Sequence, residues 1–340
     1  KVHMAYSTNF YVEKPICIVT YNDLQARRII NDLKYFKDSV AYFPKRDIIS
    51  FDYLTESKDV LYKRISTLNE IVSGKTKIIV TTIEAAMQRM ICKDKLYENQ
   101  LNLFVGKTIE LDELKEKLTK LGFERAELIE GYGQFSIRGG IVDVATSSKQ
   151  GIRIEFWGDE IDSIRQFSIS SQRTVEMLKE VVISPAFELV LETSLDKICT
   201  KILNKSYTLK SIREKAEEDV VEIKEGNYLN KIDKYFDCFY ENTNTLMDYL
   251  PDEYMVFIDE IGKIKNRAEN IAKDNDELIR DIISKKKLPP SSLINQDDYN
   301  RFNDYLQNKQ VIYMQKDDNG YVDKQSMHAK RNGYSFSYRE

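Results

Sequence analysis

The sequence predicts an α/β protein with a small α+β domain inserted into it, on three observations. Over residues 1–106 short apolar runs alternate with helical apolar stripes, the pattern of a helix-covered parallel sheet. Over 107–187 the chain turns to Gly- and Ser-punctuated strands in which apolar and polar residues alternate. Over 188–340 the strand–helix pattern returns, with a looser and more helical start. The expected domains are therefore 1–106, 107–187 and 188–340.

In the first region, Ile16–Thr20 follows Pro15 as an unbroken apolar run, which predicts a buried strand. Asn22 or Asp23 can cap the next helix, whose stripe is Leu24, Ile29, Ile30 and Leu33. Val40–Phe43 reads as a second strand, ended by Pro44. A helix over 56–72 should bury Val60, Leu61, Ile65, Leu68, Ile71 and Val72. Lys77–Thr81 is a third strand and Ile83–Met90 a short helix.

In the middle region, Leu111–Leu121 is an amphipathic helix closed by Gly122. The densest strand signals follow, in Gly131–Val144 and Gly151–Phe167. Ile152, Ile154 and Phe156 fall on one side of a strand, and Arg153, Glu155 and Trp157 on the other. Gly158-Asp159 fits a tight hairpin turn. One strand earlier Phe135 and Ile137 share a face, with Ser136 and Arg138 opposite. Pairing these strands puts two arginines and a tryptophan on one exposed face. A solvated sheet surface is the simplest account of it. A protein-docking patch is the alternative, since Arg and Trp are the side chains that most often carry binding energy. Val181–Ser184 is the last strand of this region.

In the third region 211–226 is heavily charged and reads as a solvated helix. Tyr254–Ile258 is a buried strand running into Asp259-Glu260 and a long charged helix to about Ile283. Lys286–Ser292 is a linker around Pro289-Pro290, and Gln310–Met314 and Gly333–Tyr338 are closing strands. A chain opening on Lys1 and ending on a strand-like segment suggests a piece of something longer.

Composition narrows the function. With 42% hydrophobic and 31% charged residues, 340 residues make a globular protein of two or three domains. A net charge of −4 argues against electrostatic binding of nucleic acid by the whole surface, though a local basic patch stays open. There is no membrane-length apolar stretch and no secretory signal pattern, so a cytoplasmic location is expected. Four dispersed cysteines and two histidines give no zinc spacing and fit reduced thiols. The 21 tyrosines are scattered, which favours packing over stacking on single strands.

Two Gly-Lys-Thr sequences, at 74–76 and 106–108, carry the tail of a phosphate loop. Asn69 and Leu101 stand where its first glycine belongs, and 74–76 precedes a strand rather than opening a helix, so both read as turns. Asp259-Glu260 has the form of a Walker B pair, which needs a facing phosphate loop. The simpler reading is first-turn carboxylates complementing a helix dipole.

The chain resembles the N-terminal part of the bacterial transcription-repair-coupling factor (Mfd) family. The resemblance is carried by Phe123-Glu-Arg-Ala-Glu-Leu-Ile-Glu-Gly-Tyr-Gly-Gln-Phe-Ser-Ile-Arg-Gly-Gly-Ile-Val-Asp143, Arg153-Ile-Glu-Phe-Trp-Gly-Asp-Glu-Ile-Asp-Ser-Ile-Arg165, Ser171-Gln-Arg-Thr174 and Ser184-Pro-Ala186. Ile16–Thr20 and Ser57–Thr82 are similar to the family's first domain. The resemblance implies a module like the UvrB helicase subunit of nucleotide excision repair. Such a module is a degenerate RecA-like (P-loop-type) domain in two parts, with a small inserted domain between them. UvrB itself is the close competitor, but it has an intact phosphate loop and a long Tyr-rich hairpin. Only Asp-Tyr-Leu-Thr-Glu lies between Phe51 and Ser57, too short for that hairpin.

The resemblance further implies that the inserted domain binds UvrA and recruits it to RNA polymerase stalled at a lesion. The family's contact residues map onto Arg138 in the Arg-Gly-Gly motif, Arg153 opening the Arg-Ile-Glu-Phe strand, and Trp157 closing it. The family aromatic is commonly Phe, so Trp157 departs from the pattern. Glu155 is a weaker candidate. The family's own C-terminal domain masks this surface. ATP, Mg²⁺ and the contacts to DNA and RNA polymerase belong to domains outside this chain, which is expected to be non-catalytic and to bind no cofactor. The rival readings are a UvrB-type ATP-hydrolysing helicase fragment and a DNA-binding module.

Overall fold

The structure is a computed structural model that describes residues 1–36, 40–46, 58–186, 188, 191, 193–205, 210–225, 228, 231–232, 234–284 and 297–315. The expected Lys286–Ser292 linker, the Gly333–Tyr338 strand and the short 51–57 segment lie outside them. The fold is mixed α/β and forms two compact units. One holds the described residues of 1–54, 67–90 and 193–340, the other those of 55–66 and 91–192.

The first unit is built on a five-stranded parallel sheet. The strands run, edge to edge, Gln310–Met314, Met255–Asp259, Ile16–Thr20, Ile78–Thr82 and Ala41–Phe43. Ile16–Thr20 and Ile78–Thr82 are buried at every position, as runs without charged or strongly polar residues must be when helices cover both faces of a sheet. Ile16, Ile18, Ile78, Val80 and Phe257 pack with Ala26, Ile29, Ile30 and Leu33 of the Asp23–Lys34 helix. Asn22 caps that helix, its side chain accepting from the Gln25 N–H at 2.8 Å. Leu24 departs from the expected stripe and is 60% exposed, because the face that meets the sheet is set by 26, 29, 30 and 33. Val72 likewise stays exposed at the end of the Lys58–Val72 helix.

Three further differences concern helices. Val2–Val12 is a helix that the sequence did not announce, since its apolar residues surround the axis instead of lining one side. The expected helix at Ile83–Met90 stops at Met87, and Met90–Ile91 is a two-residue strand. The charged helix, Lys210–Lys224, is not simply solvated. Ile212, Ala216, Val220 and Ile223 are buried, and so is Asp219, held by Lys231, Lys234 and the Tyr235 hydroxyl. All four cysteines are free thiols, and burial pushes the Cys17 thiol up to about 12.

The second unit is built on a six-stranded sheet in the order Thr174–Leu178, Glu160–Ser168, Gln150–Trp157, Ile141–Val144, Gln134–Arg138, Glu124–Arg125. All neighbours are antiparallel except the last pair. One face packs Phe135, Val142, Val144, Ile152, Ile154 and Ile164 against Leu114 and Leu118 of the Leu111–Lys120 helix. Leu101–Phe104 pairs with Glu180–Ile183 and adds Leu101, Leu103 and Ile183 to the same core. That pairing ties residues ahead of 107 to this unit, so it begins upstream of the boundary composition suggested.

Candidate protein-docking face

The second face of the six-stranded sheet is set by register. The Gly139-Gly140 turn pairs Arg138 with Ile141 and Ser136 with Asp143. Gly139 takes φ 57°, a backbone conformation other residues rarely adopt, and a Cβ on Gly140 would crowd the Phe156 carbonyl oxygen at 3.1 Å, so the turn favours glycine at both positions. Asp143 then pairs with Arg153, Arg153 with Arg165, and Arg165 with Met177. A row Ser136–Asp143–Arg153–Arg165–Met177 thus crosses five strands on one face. Glu155 and Trp157 follow Arg153 on that side, and Gly158-Asp159 turns the chain back.

The structure brings the two predicted arginines together through a carboxylate. Asp143 is 1% exposed and accepts from both. Its Oδ1 takes Arg153 Nε at 2.6 Å, and its Oδ2 takes Arg153 Nη2 at 2.8 Å and Arg138 Nη2 at 2.7 Å. Arg153 Nη2 also donates to Gln172 Oε1 at 3.1 Å, and its guanidinium lies 4.5 Å from the Phe167 ring centroid. The hydrogen bonds that Arg153 donates to Asp143 hold its pKa above the ordinary value against the opposing effect of burial.

The predicted residues differ in exposure. The Arg153 side chain is 17% exposed, that of Arg138 46%. Trp157, the only tryptophan of the chain, is 84% exposed. It stands four residues along the strand from Arg153, roughly 13 Å at an ordinary strand rise, and is not in the arginine cluster. Glu155 is occupied, accepting from Ser163 Oγ at 2.8 Å and pairing with Arg165.

The face is less wet than alternation suggested. Ser136 is 1% exposed and donates to the Glu127 carbonyl at 2.8 Å. Phe167 is buried with Ile129, Ala145 and Ile169 in a second small cluster. The segment before Gly131 therefore roofs one end of the sheet and leaves the Arg138–Trp157 end open. Asp143, Gln172, Arg165 and Met177 escaped the sequence reading. The two-residue Gly-Gly turn was the available signal for Asp143, because it fixes which residues oppose each other.

Gly151 is part of this arrangement. A Cβ there would lie 2.8 Å from Phe167 Cε1 and 3.0 Å from Ile129 Cδ1. Gly151→Ala is expected to destabilise the chain by about 1–3 kcal/mol, as overpacking of a closed site does, seen as a lower urea midpoint. A midpoint equal to wild type would show that the ring moves aside freely.

Asp259 and Glu260 do not sit in the first turn of the Ile261–Ser284 helix as expected. Asp259 ends its strand, fully buried, accepting from Lys1 Nζ at 2.8 Å, Thr20 Oγ1 at 2.9 Å and Gln25 Nε2 at 3.1 Å. Lys1 also pairs with Glu260, which takes φ 64°.

Residues 101–189 match the family model of the UvrB interaction domain, which contains the whole of this face. The chain is similar to a transcription-repair-coupling factor of Bacillus subtilis (strain 168), 31% identical over 290 residues, covering 81% of this chain and 25% of that protein. It is also similar to one from Staphylococcus aureus (strain bovine RF122 / ET3-1), 28% identical over 281 residues, covering 79% of this chain and 24% of the other. The chain spans about a quarter of the length of the curated relatives it matches.

Proposed function

Because the chain is a relative of the transcription-repair-coupling factors and carries a UvrB interaction domain, we propose that it is a UvrB-like recruitment module whose exposed sheet face binds UvrA. On this reading it brings UvrA to RNA polymerase stalled at a lesion, in transcription-coupled nucleotide excision repair. Arg138, Arg153 and Trp157 form the docking site. The single observation that carries the reading is the face itself: an indole held 84% exposed on the open end of a sheet where two arginines share one buried carboxylate. An apolar anchor on the same face as a paired-arginine cluster, but separate from it, suits a partner surface with an apolar pocket at one point and carboxylates at another.

The same reading makes the parallel-sheet unit a degenerate RecA-like domain in two parts, with the six-stranded-sheet unit inserted into its sequence. The module recruits; ATP hydrolysis, Mg²⁺ binding and the grip on DNA and RNA polymerase are assigned to other parts of the full-length protein. A C-terminal domain of that protein masks the docking face until it is needed, in the cytoplasm.

Titration of UvrA against the chain tests this. Trp157→Ala is expected to weaken binding by roughly tenfold or more, as loss of an aromatic anchor does. Its urea midpoint should stay within about 0.5 kcal/mol of wild type, since the ring touches little of the core. Unchanged affinity would remove Trp157 from the site, and absence of binding by the wild-type chain would sink the reading.

One observation favours a second reading. Lys1, Thr20 and Asp259 meet at the C-terminal end of two parallel strands, where α/β sheets place nucleotides. ATP turnover by this chain would support a UvrB-type helicase fragment instead.

A further inference from the structure

A carboxylate buried on the outer face of a sheet is costly unless charged donors surround it. Asp143 has three such donors, all from Arg138 and Arg153. Two cations on one anion leave a surplus positive charge, and the two arginines hold it differently. Arg153 is enclosed: Asp143 takes two of its N–H groups, Gln172 accepts from Nη2, and its Cζ lies over the Phe167 ring, 4.5 Å from the centroid. Gln172 holds its place at φ 58°, with its amide nitrogen donating to the Ile169 carbonyl at 2.9 Å. Arg138 has one bond to the same carboxylate and is nearly half exposed, so its remaining N–H groups face outward.

We propose that Asp143 is a positioning residue of the docking face: it anchors Arg153 as a fixed strut and, through the shared Oδ2, aims Arg138 at the partner. The inference rests on the reading that this face binds UvrA, and it divides the labour among the predicted residues. Arg138 and Trp157 touch the partner, while Arg153 acts from behind through Asp143. Without the shared anion the two guanidiniums repel each other, and Arg138, next to a glycine turn, loses its aim. An arginine already held in place loses less side-chain freedom on binding a carboxylate than a free one.

Asp143→Asn tests this with the least disturbance. The amide keeps one acceptor oxygen, but it carries no charge to draw the two guanidiniums together, and its NH2 sets a donor against an arginine N–H where the second oxygen accepted. In the wild-type background D143N is expected to weaken UvrA binding about tenfold, as coupled residues of one salt-bridge network do in double-mutant cycles. In an Arg138→Ala background the same change should cost about twofold or less, because the residue it aims is gone. Equal losses in both backgrounds mark a merely structural role and overturn the assignment, as does no loss in the wild-type background. A second readout needs no partner: relaxation of the Arg138 side-chain Nε–H. It should report an ordered group in the wild type and fast motion in D143N. An Arg138 as mobile in the wild type as the exposed Arg125 overturns the inference whatever UvrA does. A wild-type chain that does not bind UvrA overturns the functional reading and this inference with it, whereas binding that ignores D143N overturns the inference alone.

Discussion

Arg153→Ala is expected to lower both the stability of the chain and its affinity for UvrA, a double loss that a pure contact residue would not produce. The change removes two of the three hydrogen bonds to a carboxylate that is 1% exposed, and leaves Arg138 as its sole cation. It also strips the Phe167 ring of its cation and frees Gln172 Oε1. Breaking a buried pair from one side costs about 3–5 kcal/mol, and the surviving Arg138 bond should hold this case near about 3 kcal/mol. Binding falls as well, by about tenfold, because the network that aims Arg138 is broken. A urea midpoint followed by circular dichroism reads the first quantity, and a UvrA titration well below that midpoint reads the second. Arg153→Lys should recover only part of each, since an ammonium cannot reproduce the two-point pair with Asp143 and the cation–π contact with Phe167 together. Normal stability with lost binding would mean that Arg153 reaches the partner directly and that the cage around it opens in solution. Unchanged affinity would remove Arg153 from the site.

Much of this arrangement could be read from residue order, and the limits are physical. The central strands of the parallel sheet announced themselves because burial on both faces demands unbroken apolar runs, as in Ile16–Thr20 and Ile78–Thr82. Their spatial order did not, because nothing local in Met255–Asp259 says that it lies between Ile16–Thr20 and Gln310–Met314. On the small sheet, alternation placed Arg138, Arg153 and Trp157 on one side, and the exposed indole stands there. Alternation is blind to what a loop lays over a face, however: it sets Ser136 on the open side and says nothing of Phe167, although both are buried. It is blind also to depth along a face: Arg153 and Trp157 share a side, yet one is a strut and the other stands in water. In the Lys210–Lys224 helix, charge density hid a spacing of 212, 216, 220 and 223 that lines a buried side. Asp143 was hidden by register. Only after Gly139-Gly140 is taken as a two-residue turn does residue 143 fall beside 136 and 153.

Arg64→Ala is expected to have the largest effect on stability of any single change considered, and to do so without touching the docking face. Arg64, on the Lys58–Val72 helix, is completely buried, and its Nε lies 2.5 Å from Glu188 Oε1, whose residue is buried as well. The surroundings are tightly fixed. The Tyr62 and Tyr132 rings meet at 4.9 Å, and the Tyr132 hydroxyl donates to the Ala186 carbonyl at 2.5 Å. Burial, with Tyr62 and Glu188 nearby, raises the pKa of that hydroxyl and keeps it a donor. Truncating Arg64 leaves a carboxylate in the interior facing a void the length of an arginine, so destabilisation of about 3–5 kcal/mol is expected, more if the void cannot close. The decisive comparison is the double variant Arg64→Met, Glu188→Leu. Removing both charges removes the desolvation penalty with the attraction, and the apolar pair should return to within about 1–2 kcal/mol of wild type. If the double variant is no more stable than Arg64→Ala, the arginine serves by shape and its other contacts instead of by pairing with Glu188. The folded fraction of either variant should bind UvrA as wild type does, because Arg138, Asp143, Arg153 and Trp157 are untouched. That contrast with Arg153→Ala separates the cation that holds this unit together from the cation that supports its docking face.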